Sequence, residues 1–371
     1  MGPALLLGVA TSTAVSAEGP MRIGLLAPPM IPIPPPAYAG TERIVAVLAE
    51  ELDRRGHEVT LLASGDSRSP AKLIPIVEES LWKQNVEGGM PWYQLAAAVA
   101  WREQERFDIV HSHIEGAGFL LARYGRIPVL STMHGRLDVD GMPELLAEFA
   151  DVPLVAISES QRRWFPDANW VATVHHGLPL ESMPFRDAPG DYMMLVGRVT
   201  PEKGVAEAIE LAHRTGLPLR IAAKVANPDE EEYFREVVEP ALGDDRIEFL
   251  GEVGQAERDP LLAGALATLM LGAWPEPFGL VAIESLGTGT PVIGRRAGAL
   301  TEIVEHGVDG FLVDDVAEAA LAVEMVRDLD RTAIRERALR RFSAARMVDE
   351  YEALYRQLIA ARRPVGASSP G

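Results

Sequence analysis

An α/β architecture with parallel sheets in two successive halves is what this sequence predicts, and three observations carry the expectation. From Met21 onward, short β-like runs alternate with amphipathic helical segments, the pattern of parallel-sheet domains. The alternation begins afresh at Tyr192, after a stretch rich in proline and charge that ends near Gly190, so a domain linker is expected there. A length of 371 residues with 47% hydrophobic content suffices to bury two cores.

In the first half, strands are expected at Arg22 to Ala27, Val59 to Ala63, Phe107 to Val110, Pro128 to Thr132, Leu154 to Ile157 and Trp170 to Val174. Pro28 to Pro36 forms an extended loop that leads into Tyr38-Ala39-Gly40-Thr41-Glu42-Arg43. Ile44, Val47, Leu48 and Leu52 then recur at helical spacing, which makes Gly40-Thr41 a strand-to-helix corner with Thr41 as its N-cap. Trp92 to Arg106 reads as a further helix. In the second half, strands are expected at Tyr192 to Val196, Leu219 to Ala222, Ile247 to Leu250, Leu269 to Leu271, Val292 to Ile293 and Phe311 to Val313. The chain from Ala317 is helical and Met347 to Ile359 is a packing helix, while Arg335, Arg337, Arg340 and Arg341 read as a solvated face.

Composition narrows the partners. A net charge of -19 argues against nucleic acid or an anionic membrane, both of which require a basic surface. The absence of cysteine excludes disulfides, zinc ribbons and thiol nucleophiles together. No run reaches the ~18 apolar residues of a membrane span, so no integral membrane contact is expected. Residues 1–20 contain a short apolar run with no preceding basic residue, which reads as an extension or remnant rather than a secretion signal, and a cytoplasmic location is expected.

Two stretches carry chemistry. In Glu276-Pro277-Phe278-Gly279-Leu280-Val281-Ala282-Ile283-Glu284, Pro275 and Pro277 keep the approach extended, so a helix begins near Gly279 with its free N–H groups facing outward. Such an end binds phosphate, and Gly279 allows close approach. Glu276 and Glu284 bracket it, and carboxylates accept hydrogen bonds from vicinal diols. Diols on both sides of a diphosphate describe a nucleoside diphosphate sugar. In Gly197-Arg198-Val199-Thr200-Pro201-Glu202-Lys203-Gly204, Arg198 and Lys203 supply countercharge at a strand end, before a helix starting near Pro201. Lysine is scarce, with only Lys72, Lys83, Lys203 and Lys224, so Lys203 stands out.

Other features are weaker. His134 follows a strand at the ligand-binding edge and is the histidine expected to meet the reacting sugar. His111, His113, His175 and His176 read as structural. Gly116-Ala117-Gly118 lacks the third glycine and acidic partner of a nicotinamide site. Asp138-Val139-Asp140 has no strand leading into it, so no metal and no cofactor are expected.

Taken together, Gly197-Arg198 with Pro201-Glu202-Lys203-Gly204, Glu276-Pro277-Phe278-Gly279-Leu280 with Glu284, and Gly289-Thr290-Pro291-Val292 resemble the retaining glycosyltransferases of family 4. The resemblance runs from Met21 to about Ala360. It implies the GT-B fold, two Rossmann-like domains facing a cleft, with boundaries expected at 21–186 and 187–345 and a C-terminal helix and tail at 346–371 packing back on the first domain. It further implies that Glu276 binds the sugar hydroxyls and Glu284 the ribose. Phe278, Gly279, Leu280 and Val281 would bind phosphate and sugar through backbone N–H groups. Gly197, Arg198 and Lys203 would hold the diphosphate, Gly40 and Thr41 would close over the donor, and His134 would lie beside the transferred sugar. Pro34 to Arg43, Gly56 to Leu61, Ala222 to Val225 and Trp274 to Gly279 are most similar to the bacterial tetrahydrobiopterin glucosyltransferase-like branch. Departures are Ala39 for glycine, Ser285-Leu286-Gly287-Thr288 for a small-residue run with cysteine, and Thr301 for proline.

The function this implies is metal-independent transfer of a hexose, glucose favoured, from a nucleoside diphosphate sugar, UDP-glucose favoured, to a hydroxyl of a small molecule or glycan with retention. The rival readings are a UDP-sugar 2-epimerase-like enzyme and a non-catalytic nucleotide-sugar-binding protein.

Overall fold

A computed structural model describes residues 19–37, 39–84, 86 and 89–362; the expected N-terminal extension up to residue 18, Tyr38 and the tail beyond residue 362 lie outside the described residues. The first sheet contains, in chain order, β1 (Arg22–Leu26), β2 (Glu58–Ser64), β3 (Lys72–Val77), β4 (Ile109–Ser112), β5 (Val129–Thr132), β6 (Leu154–Ala156) and β7 (Trp170–Thr173). Its spatial order is β3-β2-β1-β4-β5-β6-β7, and all neighbours are parallel. The second sheet contains β8 (Met193–Arg198), β9 (Leu219–Lys224), β10 (Ile247–Phe249), β11 (Ala267–Met270), β12 (Val292–Arg295) and β13 (Gly310–Val313). It is also wholly parallel, in the order β10-β9-β8-β11-β12-β13.

Central strands of such sheets are buried on both faces and so read as continuous apolar runs. In β1, Ile23 and Leu25 face one core with Ile44, Leu48 and Leu52 of the helix Gly40–Arg54, while Leu26 faces another with Phe107 and Val110. In the second sheet, Leu195, Ile221, Leu269 and Ile293 form a comparable core. The first of these clusters does not stop at the domain edge. It continues through Leu178 and Leu180 to Phe278, Ile283, Leu286 and Phe342, so the two halves share buried apolar contacts. Each large side chain fully buried there is worth about 1.5–3 kcal/mol, and this shared packing fixes where the second half sits on the first.

Strand β3 was not expected from the sequence. It contains Pro75, which interrupts the β pattern and is tolerated because β3 is the edge of the sheet. The helix Gly40–Arg54 begins two residues earlier than expected: its N-cap is Ala39 rather than Thr41, with no side-chain cap hydrogen bond, so Thr41 lies inside the first turn and does not cap it. Pro201–Lys203 is a short 3-10 turn, and the long helix of that unit, Val205–Thr215, starts only after Gly204.

The arginines expected to form a solvated face are instead fasteners. From the helix Arg331–Phe342, Arg335 donates to the carbonyls of Met183 and Gly287, Arg337 pairs with Asp309, and Arg341 donates to the carbonyl of Ile303; only Arg340 stands out in solvent. Helical periodicity cannot reveal this, because the acceptors are backbone oxygens of other elements. Arg331, at the same helix start, is buried and donates to the carbonyls of Arg186, Ala263 and Ala265. It ties the interdomain stretch to the second core. Arg331→Met leaves these acceptors without their donor and is expected to cost about 3 kcal/mol of unfolding free energy. Urea unfolding checks this, and a loss within experimental error contradicts it.

The final helix, Ala344–Arg362, lies on the first sheet. Tyr351 Oη is 3.0 Å from Thr132 Oγ1, Tyr355 Oη is 2.7 Å from His111 Nδ1, and Glu352 accepts from Arg55 and meets His57. Among the described residues, no helix is long and apolar enough to cross a membrane.

Candidate functional site

In an open parallel sheet, ligands bind beyond the carboxyl ends of the strands where the strand order reverses. In the second sheet that point lies between β8 and β11, and in the first between β1 and β4. The sequence places Gly197 and Arg198 at the end of β8, and the segment from Leu271 to Gly279 follows β11 directly. Lys203 and Glu276, 73 residues apart in the chain, therefore meet at one switch point because of topology.

Gly279 is the N-cap of the helix Leu280–Gly287, with φ of 105°, a conformation that glycine adopts without strain. The helix start is thus where the sequence placed it. A cleft in front of it is lined by Glu202, Lys203, Gly272, Trp274, Glu276 and Gly279. Lys203 reaches this cleft because its turn packs on bare backbone: a Cβ on Gly272 would lie 1.8 Å from the carbonyl oxygen of Glu202. Lys203 Nζ pairs with the Glu276 carboxylate across the cleft. The two side chains are partly buried, at 23% and 17% exposed, which gives the pair more Coulomb energy than a surface pair.

Arg198 is placed differently from Lys203. Its guanidinium pairs with the buried Glu230 and is itself 45% exposed, so it stands at the rim of the site. Glu284 also differs from expectation. It does not line the cleft beside Glu276 but lies fully buried, its Oε1 accepting from Arg258 Nη2 at 2.7 Å and from Arg43. Arg43 comes from the first domain, two residues after Thr41. Gly40, at the start of the same helix, lies against Leu280, and the cavity these residues line also takes in Pro34 to Pro36 and Gln255.

His134 sits two residues beyond β5, at the carboxyl edge of the first sheet. Its Nε2 is 2.8 Å from His113 Nδ1, its ring stacks on His176 with centroids 5.2 Å apart, and His176 meets the edge of Phe278 at 4.9 Å. One ring therefore separates His134 from Phe278. Two of the histidines read as structural, His113 and His176, are the supports of this stack. Asp138 accepts two bonds from Arg136, whose guanidinium lies 3.9 Å over the Trp274 ring.

Several residues of the site escaped the sequence reading. Ser158 Oγ donates to the Pro277 carbonyl at 2.6 Å, and Glu302 accepts from the amides of Glu159 and Ser160 and meets His175. These bonds hold the first domain against the loop before Gly279. Arg258 and Asp259 had no visible signal, because they stand beside Gln255 and Glu257 in the polar first half of the helix Gln255–Gly264. Glu115 accepts from the amides of His134 and Gly135, both at 3.0 Å, and had none.

Burial governs ionisation here. It holds His134 down to about 3 and His111, His113 and His176 well below the usual histidine range, the last three further lowered by neighbouring imidazoles. Burial pushes Glu115 up to about 7, against the two amide hydrogen bonds that favour its charged form. The signs then oppose each other. As pH falls through about 6.5, the unfolded chain protonates histidines that the folded chain keeps neutral, so stability is lost. Glu115 takes its proton first in the folded state, so it adds stability as pH falls from about 7 toward its unfolded value near 4.5. Glu115→Gln removes that compensation and is expected to steepen the acid-side loss by at most about 1.4 kcal/mol per pH unit between pH 7 and 5. Unfolding curves at pH 7, 6 and 5 check it; parallel losses in both proteins contradict it.

Two families match the chain in tandem. The description "Glycosyltransferase Family 4" fits residues 38–189, and "Glycosyl transferases group 1" fits residues 185–341. A D-inositol 3-phosphate glycosyltransferase of Thermobispora bispora is 32% identical over 72% of this chain and 75% of its own length. The enzyme of the same name from Mycolicibacterium smegmatis is 26% identical over 92% of each chain. The crystal structure of AviGT4, a glycosyltransferase involved in avilamycin A biosynthesis, superposes with a TM-score of 0.70 at 25% identity, covering 92% of this chain and 99% of that one. The two parallel sheets, the cleft at their switch points and these matches agree: the chain is a glycosyltransferase of family 4 with the GT-B fold.

Proposed function

We propose that this glycosyltransferase moves glucose from UDP-glucose to an acceptor hydroxyl with retention at the anomeric carbon and without a metal ion. The observation that carries the reading is the Lys203–Glu276 pair in front of the Gly279 helix start. Each partner stands in for a part of the donor. A diphosphate takes the Lys203 ammonium, and sugar hydroxyls then donate to the Glu276 carboxylate that Lys203 releases. Arg198 turns from Glu230 to the diphosphate, with Gly197 leaving room beside it, and the amides from Phe278 to Val281 add donors. Glu284 serves the ribose, Gly40 and Thr41 close the donor side, and His134 borders the transferred sugar.

Catalysis in this scheme is electrostatic. Negative charge grows on the leaving diphosphate while the sugar becomes oxocarbenium-like, and Lys203, Arg198 and the helix start are fixed where that charge develops. The departing phosphate accepts the acceptor's proton, so no protein nucleophile is required. The resemblance of Ala222 to Val225 and Trp274 to Gly279 to the tetrahydrobiopterin glucosyltransferase-like branch favours glucose as the sugar. The acceptor is a small molecule or glycan that enters from the first-domain side of the cleft.

The test is UDP release from UDP-glucose mixed with a metabolite extract, with and without EDTA, followed by the anomeric coupling constant of the product. Release undiminished by EDTA and a retained anomer are expected. An inverted anomer overturns the mechanism, and solvent deuterium entering the sugar without acceptor would point to the epimerase reading.

A further inference from the structure

Glu284 and Arg258 form a buried ion pair with two loose ends. The Glu284 side chain is fully buried and that of Arg258 is 7% exposed, with Nη2 shared between Glu284 Oε1 at 2.7 Å and Asp259 Oδ1 at 3.1 Å. Yet Arg258 Nε and Glu284 Oε2 are both buried without a hydrogen-bond partner. An unpaired buried donor or acceptor is costly, and one of each within a single ion pair calls for a ligand that supplies the reverse. A vicinal diol does so, since one hydroxyl donates to the carboxylate while the other accepts from the guanidinium N–H. Arg258 also lines the cavity between the domains, together with Gly40, Arg43, Gln255 and Leu280.

We propose that Arg258 is a specificity-determining residue that reads the ribose diol of the donor jointly with Glu284. Arg258 rather than Arg43 has this role because of where each is anchored. Arg258 lies in the helix Gln255–Gly264 and Glu284 in Leu280–Gly287, both in the second domain, so their pair persists whatever the cleft does. Arg43 belongs to the first domain and leaves Glu284 whenever the domains part. The inference rests on the nucleotide-sugar reading but adds a residue and a selectivity to it: ribonucleotides are preferred over 2′-deoxyribonucleotides.

The experiment is calorimetric binding of UDP and 2′-deoxy-UDP to the full chain and to Arg258→Lys, which retains the charge facing Glu284 but lacks the Nε–H. The wild-type protein is expected to bind UDP about 10–100-fold more tightly than 2′-deoxy-UDP, the range for losing a hydrogen bond to a charged group. In Arg258→Lys the ratio is expected to fall to about threefold or less while 2′-deoxy-UDP binds almost as before. A wild-type ratio near one, which requires no variant to fold, overturns the proposal and leaves the glycosyltransferase reading intact. So does an unchanged ratio in the variant. Failure of the wild-type chain to bind either nucleotide overturns the nucleotide-sugar reading itself.

Discussion

Lys203→Ala lowers kcat/KM for sugar transfer by about 10²–10³-fold, the cost of removing one preorganised donor aimed at developing negative charge. The loss is expected mainly in kcat, because the diphosphate gains charge as the glycosidic bond breaks and the ammonium interaction strengthens with it. Fold integrity is not at risk in the same measure. The Lys203–Glu276 pair is partly open to solvent, and neither residue belongs to a hydrophobic cluster, so the melting temperature is expected to move by only a few degrees. Steady-state kinetics with UDP-glucose decides the matter. Near-normal turnover in the alanine variant would remove Lys203 from the mechanism, and with it the pairing that organises the cleft.

Glu276→Ala separates the sugar from the nucleotide. Glu276 is proposed to touch only the transferred sugar, so turnover is expected to fall by about 10²-fold while UDP binds with a Kd within about threefold of wild type. Within that range UDP binding is expected to tighten rather than weaken, since Lys203 loses the carboxylate that competes with the diphosphate for it. Kinetics and calorimetry on the same preparation give both numbers. Equal losses in turnover and in UDP affinity would show that Glu276 acts on the nucleotide side, contrary to its proposed part.

The two residues differ in how they could be read from the sequence. Glu276 and Gly279 lie within one continuous stretch whose prolines and glycine dictate an extended approach and a helix start, so local rules locate both. Lys203 was found by scarcity and by its place after a strand, and the structure adds the reason for its reach, the close approach of its turn to Gly272. The alternation of strands and helices revealed twelve of the strands, because buried parallel strands are apolar throughout. Strand β3 escaped because Pro75 disguises an edge strand. What no local rule could supply was the partnership between distant residues. Arg258 with Glu284, Glu302 with the amides of Glu159 and Ser160, and the arginines of the helix Arg331–Phe342 with backbone carbonyls all depend on how the two domains meet. The partner of a buried charge is a property of the tertiary fold. The exposed appearance of Arg335 and Arg341 in helical periodicity misled for the same reason.

The histidines show a further limit. The sequence singles out His134 by its place at the carboxyl end of β5, yet the residues that orient it, His113 from beyond β4 and His176 from beyond β7, read as independent structural residues. Strand order brings the three together. The same order puts Glu115 under the His134 amide, where its titration opposes that of the histidines.

The central claim is that the donor diphosphate sits at the Gly279 helix start, facing Lys203. Amide-detected NMR titration of UDP-glucose into the full chain tests it most directly. The account predicts that the Gly279, Leu280 and Val281 amides and the Lys203 region shift together with a single apparent Kd. Saturable binding that leaves those amides unmoved while others shift would contradict it.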